Sequence, residues 1–171
     1  RRRAGFLDRL VLLNTGAFPS RNIPKRIALC RLPWIGALLV RGCNGFSGAA
    51  VHMTTVRKLP REVARGYLFP HRSWATRIAV HRFVRDIPLG PGHRTQAEIE
   101  AIAESLREVR RRPVKIIWGE RDWCFDRTFL EEFRRRLPEA EVLALPDAGH
   151  WLLEDAGERI AAEVRAFLTR A

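Results

Sequence analysis

The sequence contains only three cysteines among 171 residues, which limits both its compartment and its metal chemistry. Cys30, Cys43 and Cys124 are odd in number and show no paired spacing, so the sequence supports neither a disulfide framework nor a zinc site. The histidines at 52, 71, 81 and 93 also lack the spacing of metal ligands. We therefore predict a cytoplasmic protein without a metal site.

Long apolar runs are lacking as well. The longest, from Leu32 to Val40, is too short to cross a bilayer. No apolar segment of the signal-peptide type follows the Arg-Arg-Arg start. The composition, 46% hydrophobic and 29% charged, can bury the core of one ordinary domain. We expect a protein that is soluble or at most bound to a surface.

Acidic residues are scarce in the first two thirds of the chain. Residues 1–112 hold 22 Lys and Arg against 7 Asp and Glu, whereas residues 113–171 hold 9 against 12, and the total is +12. The arginines are dispersed among apolar residues, without an RNA-binding motif, a zinc finger or a lysine tract. We therefore predict no nucleic-acid partner and interpret the charge as a solvated surface. Binding to a protein partner or an anionic membrane surface is the alternative.

Three apolar runs predict β-strands. They cover residues 6–14, Val114 to Trp118 before Gly119, and Glu141 to Leu145 before Pro146. Helical patterns are predicted over residues 23–31, 33–46, 60–68, 73–86, 95–111, 127–137 and 155–169. Strands alternating with helices indicate an α/β fold with a parallel sheet. We predict a core strand and loop over residues 1–20, a helical cap over 21–112 and a second core segment over 113–171.

Two titratable residues follow the second and third predicted strands. Asp122 ends Gly-Glu-Arg-Asp, and His150 lies in Pro-Asp-Ala-Gly-His-Trp. Loops at the carboxyl ends of parallel strands are where ligands bind in open α/β sheets. A carboxylate that reaches the imidazole would fix its tautomer and stabilise the imidazolium. We predict an acid–base pair, with Glu120 and Asp126 as competitors for the acid and a plain exposed histidine as the alternative for His150.

Three segments together resemble the carboxyl-terminal portion of an α/β-hydrolase. They cover residues 6–15, 113–122 and 146–155. The position of the cap resembles the haloalkane dehalogenase branch. Within the cap, Ile-Ala-Leu-Cys-Arg-Leu-Pro and Leu-Leu-Val-Arg-Gly-Cys-Asn-Gly-Phe are similar to bacterial enzymes that decarboxylate β-lactones in olefin biosynthesis. The resemblance covers nearly the whole chain and implies an incomplete α/β-hydrolase fold, namely the last parallel strands and helices with a helical cap insertion.

The resemblance also implies roles. Asp122 would be the acid and His150 the base of a nucleophile–His–Asp triad that needs no cofactor and acts on a small apolar substrate, a haloalkane or a β-lactone. The nucleophile elbow, G-x-S-x-G or G-x-D-x-G, does not occur in the sequence. The nearest match, residues 45–49, has Ala49 in place of the second glycine and lies in the predicted cap. We therefore expect the nucleophile upstream of this chain and the chain alone to be inactive.

Four aromatic residues are candidates for the substrate pocket. Phe18, Trp34, Trp123 and Trp151 are large and lie in or beside the predicted cap or the two loops. Core packing is the alternative for each. Asn14, with Thr15, follows the first strand where some dehalogenases place the triad glutamate, which favours Asp122 as the acid here.

Overall fold

A computed structural model describes residues 7–170 and contains a parallel sheet. Its strands are β1 (Leu10–Leu13), β2 (Val114–Gly119) and β3 (Glu141–Leu145), in the order β1-β2-β3, with both pairs parallel. The predictions of β2, β3 and a parallel sheet are confirmed. β1 is shorter than predicted, because Leu10 already pairs with Val114, the first residue of β2. Phe6, the predicted start of this strand, lies outside the described residues.

The described residues form eight α-helices. In chain order they are α1 (Lys25–Arg31), α2 (Pro33–Ala37), α3 (Gly45–Met53), α4 (Arg61–Leu68), α5 (Ile78–Arg85), α6 (Gln96–Val109), α7 (Arg127–Arg136) and α8 (Leu152–Thr169). A π-helical turn over Leu38–Gly42 continues α2, and a 3-10 turn over Phe69–His71 continues α4. Helices α1, α4, α6 and α7 lie within two residues of their predicted bounds.

The helix α3 was not predicted. The long helix expected over residues 33–46 instead ends with the π-helical turn, and Asn44, whose φ of 52° is left-handed, separates it from α3. Three glycines in this stretch lower the helix propensity of the sequence. Gly45 permits a close local approach, because a Cβ there would lie 3.0 Å from the carbonyl oxygen of Leu39.

The helix α5 begins five residues later than the predicted cap at Ser73. The Ser73 hydroxyl accepts a hydrogen bond from the Thr76 amide at 3.2 Å, which closes a turn instead of starting the helix. The helix α8 begins at Leu152, three residues earlier than predicted. Its backbone departs from helical geometry at Ala156.

Both faces of β2 are covered. Val114, Ile116 and Trp118 point into one cluster with the apolar faces of α6 and α7, and Ile117 points into another with β3 and α8. The first cluster contains Phe18, Ala103, Leu106, Phe129, Leu130, Phe133 and Leu137. The second contains Leu145, Ala148, Leu152 and Ile160. These clusters fix the strand ends and the helices that flank the candidate site.

The chain divides into two compact units. The core unit comprises the chain up to Phe18 and from Glu98 onward, and the insertion unit comprises Pro19–Ala97. The predicted cap extended to residue 112. Most of α6 belongs to the core unit instead, because its Ala103 and Leu106 pack into the sheet's first cluster. Between residues 7 and 170 no helix is long and apolar enough to cross a membrane.

Candidate active site

The loops after β2 and β3 lie against each other, backbone to backbone. The amide of Glu120 donates to the Leu145 carbonyl at 2.9 Å, and the amide of Arg121 donates to the Ala148 carbonyl at 3.0 Å. A side chain at position 119 would collide with the loop after β3, since a Cβ there would lie 2.5 Å from the carbonyl oxygen of Gly149. Glycine at the end of β2 therefore permits the close approach that brings the two loops together.

The carboxylate of Asp122 is held by its own loop. Its Oδ1 accepts hydrogen bonds from the amides of Cys124 at 2.6 Å and Phe125 at 3.0 Å, and its side chain is 0% exposed. Of the two competing carboxylates, Glu120 is exposed and Asp126 caps α7 by accepting from the Thr128 amide at 3.0 Å. Asp122 is thus the acid that the loop buries and orients.

His150 contacts this carboxylate directly. The distance from His150 Nδ1 to Asp122 Oδ2 is 2.9 Å, and the imidazole retains 24% exposure. The Phe125 ring packs beside it with the ring centroids 5.6 Å apart. In a neutral imidazole that donates from Nδ1, the other nitrogen, Nε2, carries the lone pair and can accept a proton. This arrangement can perform general base chemistry.

Asn14 links the two loops, a role that sequence reasoning missed. This buried residue ends β1 with a φ of 24°, and its amide nitrogen donates to the Gly149 carbonyl at 2.8 Å. Its amide oxygen accepts from the Gly119 amide at 2.9 Å. One side chain therefore holds the start of the acid loop and the residue before the histidine. An Asn directly after an apolar strand was the available signal.

A buried carboxylate holds the same histidine loop from the other side. Asp155, in the first turn of α8, accepts a hydrogen bond from the Gly149 amide at 2.8 Å through Oδ2. Both backbone groups of Gly149 are thus bound by buried side chains. Because Gly149 precedes His150, these bonds restrict where the imidazole can lie.

The four aromatic candidates lie in different surroundings. Phe18 is a core side chain, with its ring centroid 5.0 Å from that of Phe133. Trp34 belongs to the insertion unit and is 89% exposed. Trp123 and Trp151 are partly buried and adjoin the acid–base pair in the chain. The structure therefore brings only Trp123 and Trp151 of this set to the two loops, and the pocket role of all four stays a prediction.

Ser47, in the segment that resembles an elbow only superficially, lies inside α3. The residue before this helix is Asn44, whose backbone is in the left-handed region, and no strand leads into it. The geometry of a strand-to-helix nucleophile elbow is therefore lacking at this serine.

The α/β hydrolase fold family model matches residues 9–157. Together with the parallel sheet and the acid and base loops at its edge, this match shows that the chain belongs to the α/β hydrolase fold family. The predicted fold class is confirmed.

Two curated relatives resemble nearly the whole chain. It is 42% identical over 167 residues to a cis-3-alkyl-4-alkyloxetan-2-one decarboxylase of Xanthomonas campestris pv. campestris, an alignment that covers 96% of this chain and 56% of the relative. A protein of the same name from Shewanella oneidensis is 39% identical over 167 residues, covering 95% and 52%. The chain spans about half the length of these relatives. The predicted resemblance to β-lactone decarboxylases is confirmed.

Solved structures of haloalkane dehalogenases share the fold. A loop variant of DbeA from Bradyrhizobium elkanii superposes with a TM-score of 0.86 at 20% identity, covering 98% of this chain and 60% of that one. DatA from Agrobacterium tumefaciens gives 0.81 at 20% identity, covering 95% and 58%. At such identity the likeness supports the fold alone.

Proposed function

We propose that this chain supplies the base and the acid of a nucleophile–His–Asp triad in a cofactor-free enzyme that acts on an apolar substrate. The observation that carries the proposal is the 2.9 Å contact between His150 Nδ1 and a fully buried Asp122 carboxylate. The pair lies where the carboxyl ends of β2 and β3 meet, the usual ligand side of such a sheet.

In the proposed mechanism Asp122 has two effects on His150. Its carboxylate accepts a hydrogen bond from Nδ1–H and so fixes the tautomer that leaves Nε2 free to take a proton, and its charge stabilises the imidazolium that results. The bonds from the Cys124 and Phe125 amides prevent the carboxylate from rotating away. Such an orienting acid contributes about 10⁴-fold in the serine protease example.

The nucleophile of the triad would lie in a segment of the full-length enzyme that carries the nucleophile-elbow motif. No G-x-S-x-G or G-x-D-x-G motif occurs in this sequence, and the chain spans about half of its curated relatives. In a dehalogenase-like reaction an aspartate would attack carbon and form an ester as the carbon–halogen bond breaks and halide leaves, and His150 would activate the water that hydrolyses the ester. The isolated chain would then lack turnover.

Among the candidate substrates a β-lactone is favoured over a haloalkane. The relatives named as oxetanone decarboxylases are 42% and 39% identical, whereas the dehalogenase structures are 20% identical. An oxetan-2-one is a β-lactone, and its decarboxylation breaks the ring into carbon dioxide and an alkene. The two alkyl groups in the relatives' name fit an apolar substrate.

The test uses the full-length protein that contains this chain. It would be incubated with a cis-3,4-dialkyl β-lactone and, separately, with a 1-haloalkane, and alkene, carbon dioxide and halide would be measured. We expect alkene and carbon dioxide in equal amounts, with turnover abolished in His150→Ala. Halide release without alkene would identify a haloalkane, and not a β-lactone, as the substrate. Unchanged turnover in His150→Ala would contradict the proposed triad.

A second candidate function is non-catalytic binding of a protein partner or an anionic membrane surface by the insertion unit. Residues 19–97 hold fourteen Lys and Arg against two acidic residues. This function predicts that the protein sediments with anionic vesicles and that salt weakens the association. Sedimentation that does not respond to salt would count against it.

A further inference from the structure

Three side chains with metal-binding atoms meet where the two loops touch. One ligand atom each from Asp122, Cys124 and His150 lies within 4.8 Å of the other two. We propose that these three residues bind a thiophilic divalent cation, with Zn²⁺ as the best fit, and that the bound ion switches the enzyme off. The inhibition rests on the proposed function, whereas the binding does not.

The backbone of the acid loop places the thiol. The Cys124 amide donates to Asp122 Oδ1 at 2.6 Å, so the chain turns back on itself directly after the acid. The side chain two residues beyond Asp122 then lies beside the imidazole of the neighbouring loop. Sequence spacing does not reveal this group, because Cys124 and His150 are 26 positions apart and lie on different loops.

The site is built rather than loosely gathered on the surface. The Asp122 side chain is fully buried, and Cys124 and His150 are partly buried. Asn14 and Asp155 fix the position of Gly149 through its carbonyl and its amide. Ligands held in this way lose little freedom when an ion binds, which favours affinity.

The ligand set selects the kind of ion. A thiolate, an imidazole and a carboxylate together suit zinc, whereas magnesium and calcium prefer oxygen ligands throughout. The thiolate and the carboxylate would balance the two positive charges of the ion. Three protein ligands leave the fourth tetrahedral position of zinc for a water molecule.

The distances are close to those of a zinc site. Ligand atoms around tetrahedral zinc lie about 3.5 Å apart, given bond lengths of about 2.0–2.3 Å. From the 4.8 Å limit the thiol would have to move inward by about 1.3 Å at most, which a side-chain rotation supplies. The contact between His150 Nδ1 and Asp122 Oδ2, now 2.9 Å, would have to open by about half an ångström.

The bound ion would inhibit through His150. An ion bound at Nδ1, beside Asp122 Oδ2, would occupy the one lone pair of the neutral imidazole, and the ring proton would then lie on Nε2. The ring could then no longer accept a proton from water or from the nucleophile. The carboxylate of Asp122 would bind the ion instead of orienting the base, so both proton-handling residues would be lost together.

Binding would be measured directly on the metal-free full-length protein without substrate. Cd²⁺ would be titrated while the ultraviolet absorption of the thiolate–cadmium bond is followed, and Zn²⁺ binding would be measured by calorimetry. We expect one equivalent to bind. Cys124→Ser should abolish the absorption and weaken Zn²⁺ binding by about tenfold or more. Even the loss of a residue that only hydrogen-bonds to a metal ligand commonly lowers metal affinity by about this factor.

The matched control is Cys43→Ser, which alters an exposed cysteine of the insertion unit. It should bind both ions like the unaltered protein. His150→Gln removes a second ligand independently and should weaken Zn²⁺ binding as well, and circular dichroism would show that each variant is folded. Absorption that persists in Cys124→Ser, or equal Zn²⁺ affinity in all variants, would overturn the site.

Turnover measurements distinguish a failure of the metal site from a failure of the proposed function. For each protein the ratio of turnover with and without Zn²⁺ would be compared. We expect strong inhibition of the unaltered protein and of Cys43→Ser, and a concentration for half-inhibition about tenfold higher in Cys124→Ser. Zn²⁺ that binds through Cys124 without slowing turnover would leave the metal site standing and contradict the role of His150 as the base.

Discussion

The core unit and the insertion unit are stabilised by different means. In the core unit, Trp118, Phe133 and Phe167 are almost completely buried around the sheet. The insertion unit buries mainly small or medium apolar side chains and exposes many large ones. Those exposed are Leu29, Leu32, Trp34, Ile35, Leu38, Val56, Tyr67, Phe69, Trp74 and Phe83. Hydrophobic burial thus organises one unit far more than the other.

Arginine side chains supply part of what the insertion unit lacks. The Arg77 guanidinium donates to the carbonyls of Arg41 at 2.7 Å, His71 at 2.8 Å, and Gly42 and Arg72 at 3.1 Å. These carbonyls lie on separate turns that have no sheet partner. A planar guanidinium presents five donors in a fixed geometry and can satisfy several such groups at once, whereas a lysine ammonium has only three.

The charge follows the same division. The insertion unit holds fourteen Lys and Arg against two Asp and Glu, while the rest of the chain holds seventeen of each. The whole net charge of +12 therefore belongs to residues 19–97. The basic character of this protein is therefore a property of the insertion unit, and the candidate acid–base pair lies in a unit whose charges balance.

The largest stability effect is expected in the core unit. Phe133→Ala should lower the free energy of unfolding by about 3–5 kcal/mol, because it removes a fully buried ring from the first cluster. Urea unfolding followed by tryptophan fluorescence would measure it. Phe83→Ala, at a ring that is 68% exposed in the insertion unit, should change stability by less than about 0.5 kcal/mol. Equal losses of unfolding free energy in the two variants would contradict the difference between the units.

In the insertion unit the corresponding loss should come from an arginine. Arg77→Ala should destabilise by about 1.5–3 kcal/mol, because several backbone carbonyls lose a charged donor. Arg77→Lys should recover only part of this loss. The exposed Arg82 provides the control, and hydrogen exchange of the insertion amides would be measured alongside thermal unfolding. Protection that survives in Arg77→Ala would contradict the role of its guanidinium.

Within the site the structure predicts a positioning role for Asn14. Asn14→Ala leaves the buried Gly119 amide without its acceptor and should lower stability by about 1–3 kcal/mol. It should also reduce kcat of the full-length protein by about 10²-fold at little change in KM, the effect of misplacing a reacting group by about 1 Å. Steady-state kinetics would measure both constants. A loss of stability with kcat unchanged would reduce Asn14 to a structural residue.

The smallest effect concerns a surface carboxylate of the core unit. Hydrogen bonds from Arg135 and then Arg136 outweigh burial and lower the pKa of Glu132 to about 2. A lowered folded pKa stabilises above the ordinary value of 4.5, and this contribution is lost as pH falls through about 2. Because the carboxylate lies at the surface and is only partly buried, solvent screens the pairing, and Glu132→Gln should cost only about 0.5 kcal/mol at pH 7.

Thermal unfolding at several pH values would measure this difference. It should shrink steadily below about pH 4.5 and vanish only below about pH 2, where the carboxyl becomes protonated in both states. Glu131→Gln, whose contacts to Arg127 and Arg134 are longer at 3.3 and 3.5 Å, is the matched control. A penalty that does not change with pH would show that charge is not its source.

The sequence predicts the core unit better than the insertion unit for a physical reason. β2 and β3 are largely apolar runs ended by Gly119 and Pro146, and the signal is strongest in β2, where every residue is buried. α3 was not predicted because its glycine-rich start has a low helix propensity and no capping side-chain hydrogen bond. The insertion unit also depends on contacts distant in sequence, such as those of Arg77 with the carbonyls of Arg41 and Gly42.

The candidate site is predictable in part for a similar reason. Asp122 and His150 could be paired because each follows a strand of the same parallel sheet. The choice among three carboxylates needed the fold, which exposes Glu120 and uses Asp126 as a helix cap. The clamp by Asn14 and the approach of Cys124 to His150 depend on loop backbone geometry, which spacing alone does not encode.

The most direct test of the account compares three carboxylates in the full-length protein. Turnover would be measured for Asp122→Asn, with Glu120→Gln and Asp126→Asn as controls from the same loop. We predict that Asp122→Asn lowers kcat by about 10⁴-fold through loss of the correct imidazole tautomer, while the controls stay within about tenfold of the unaltered protein. Comparable kcat in all three variants would contradict the assignment of Asp122 and His150 as the acid–base pair.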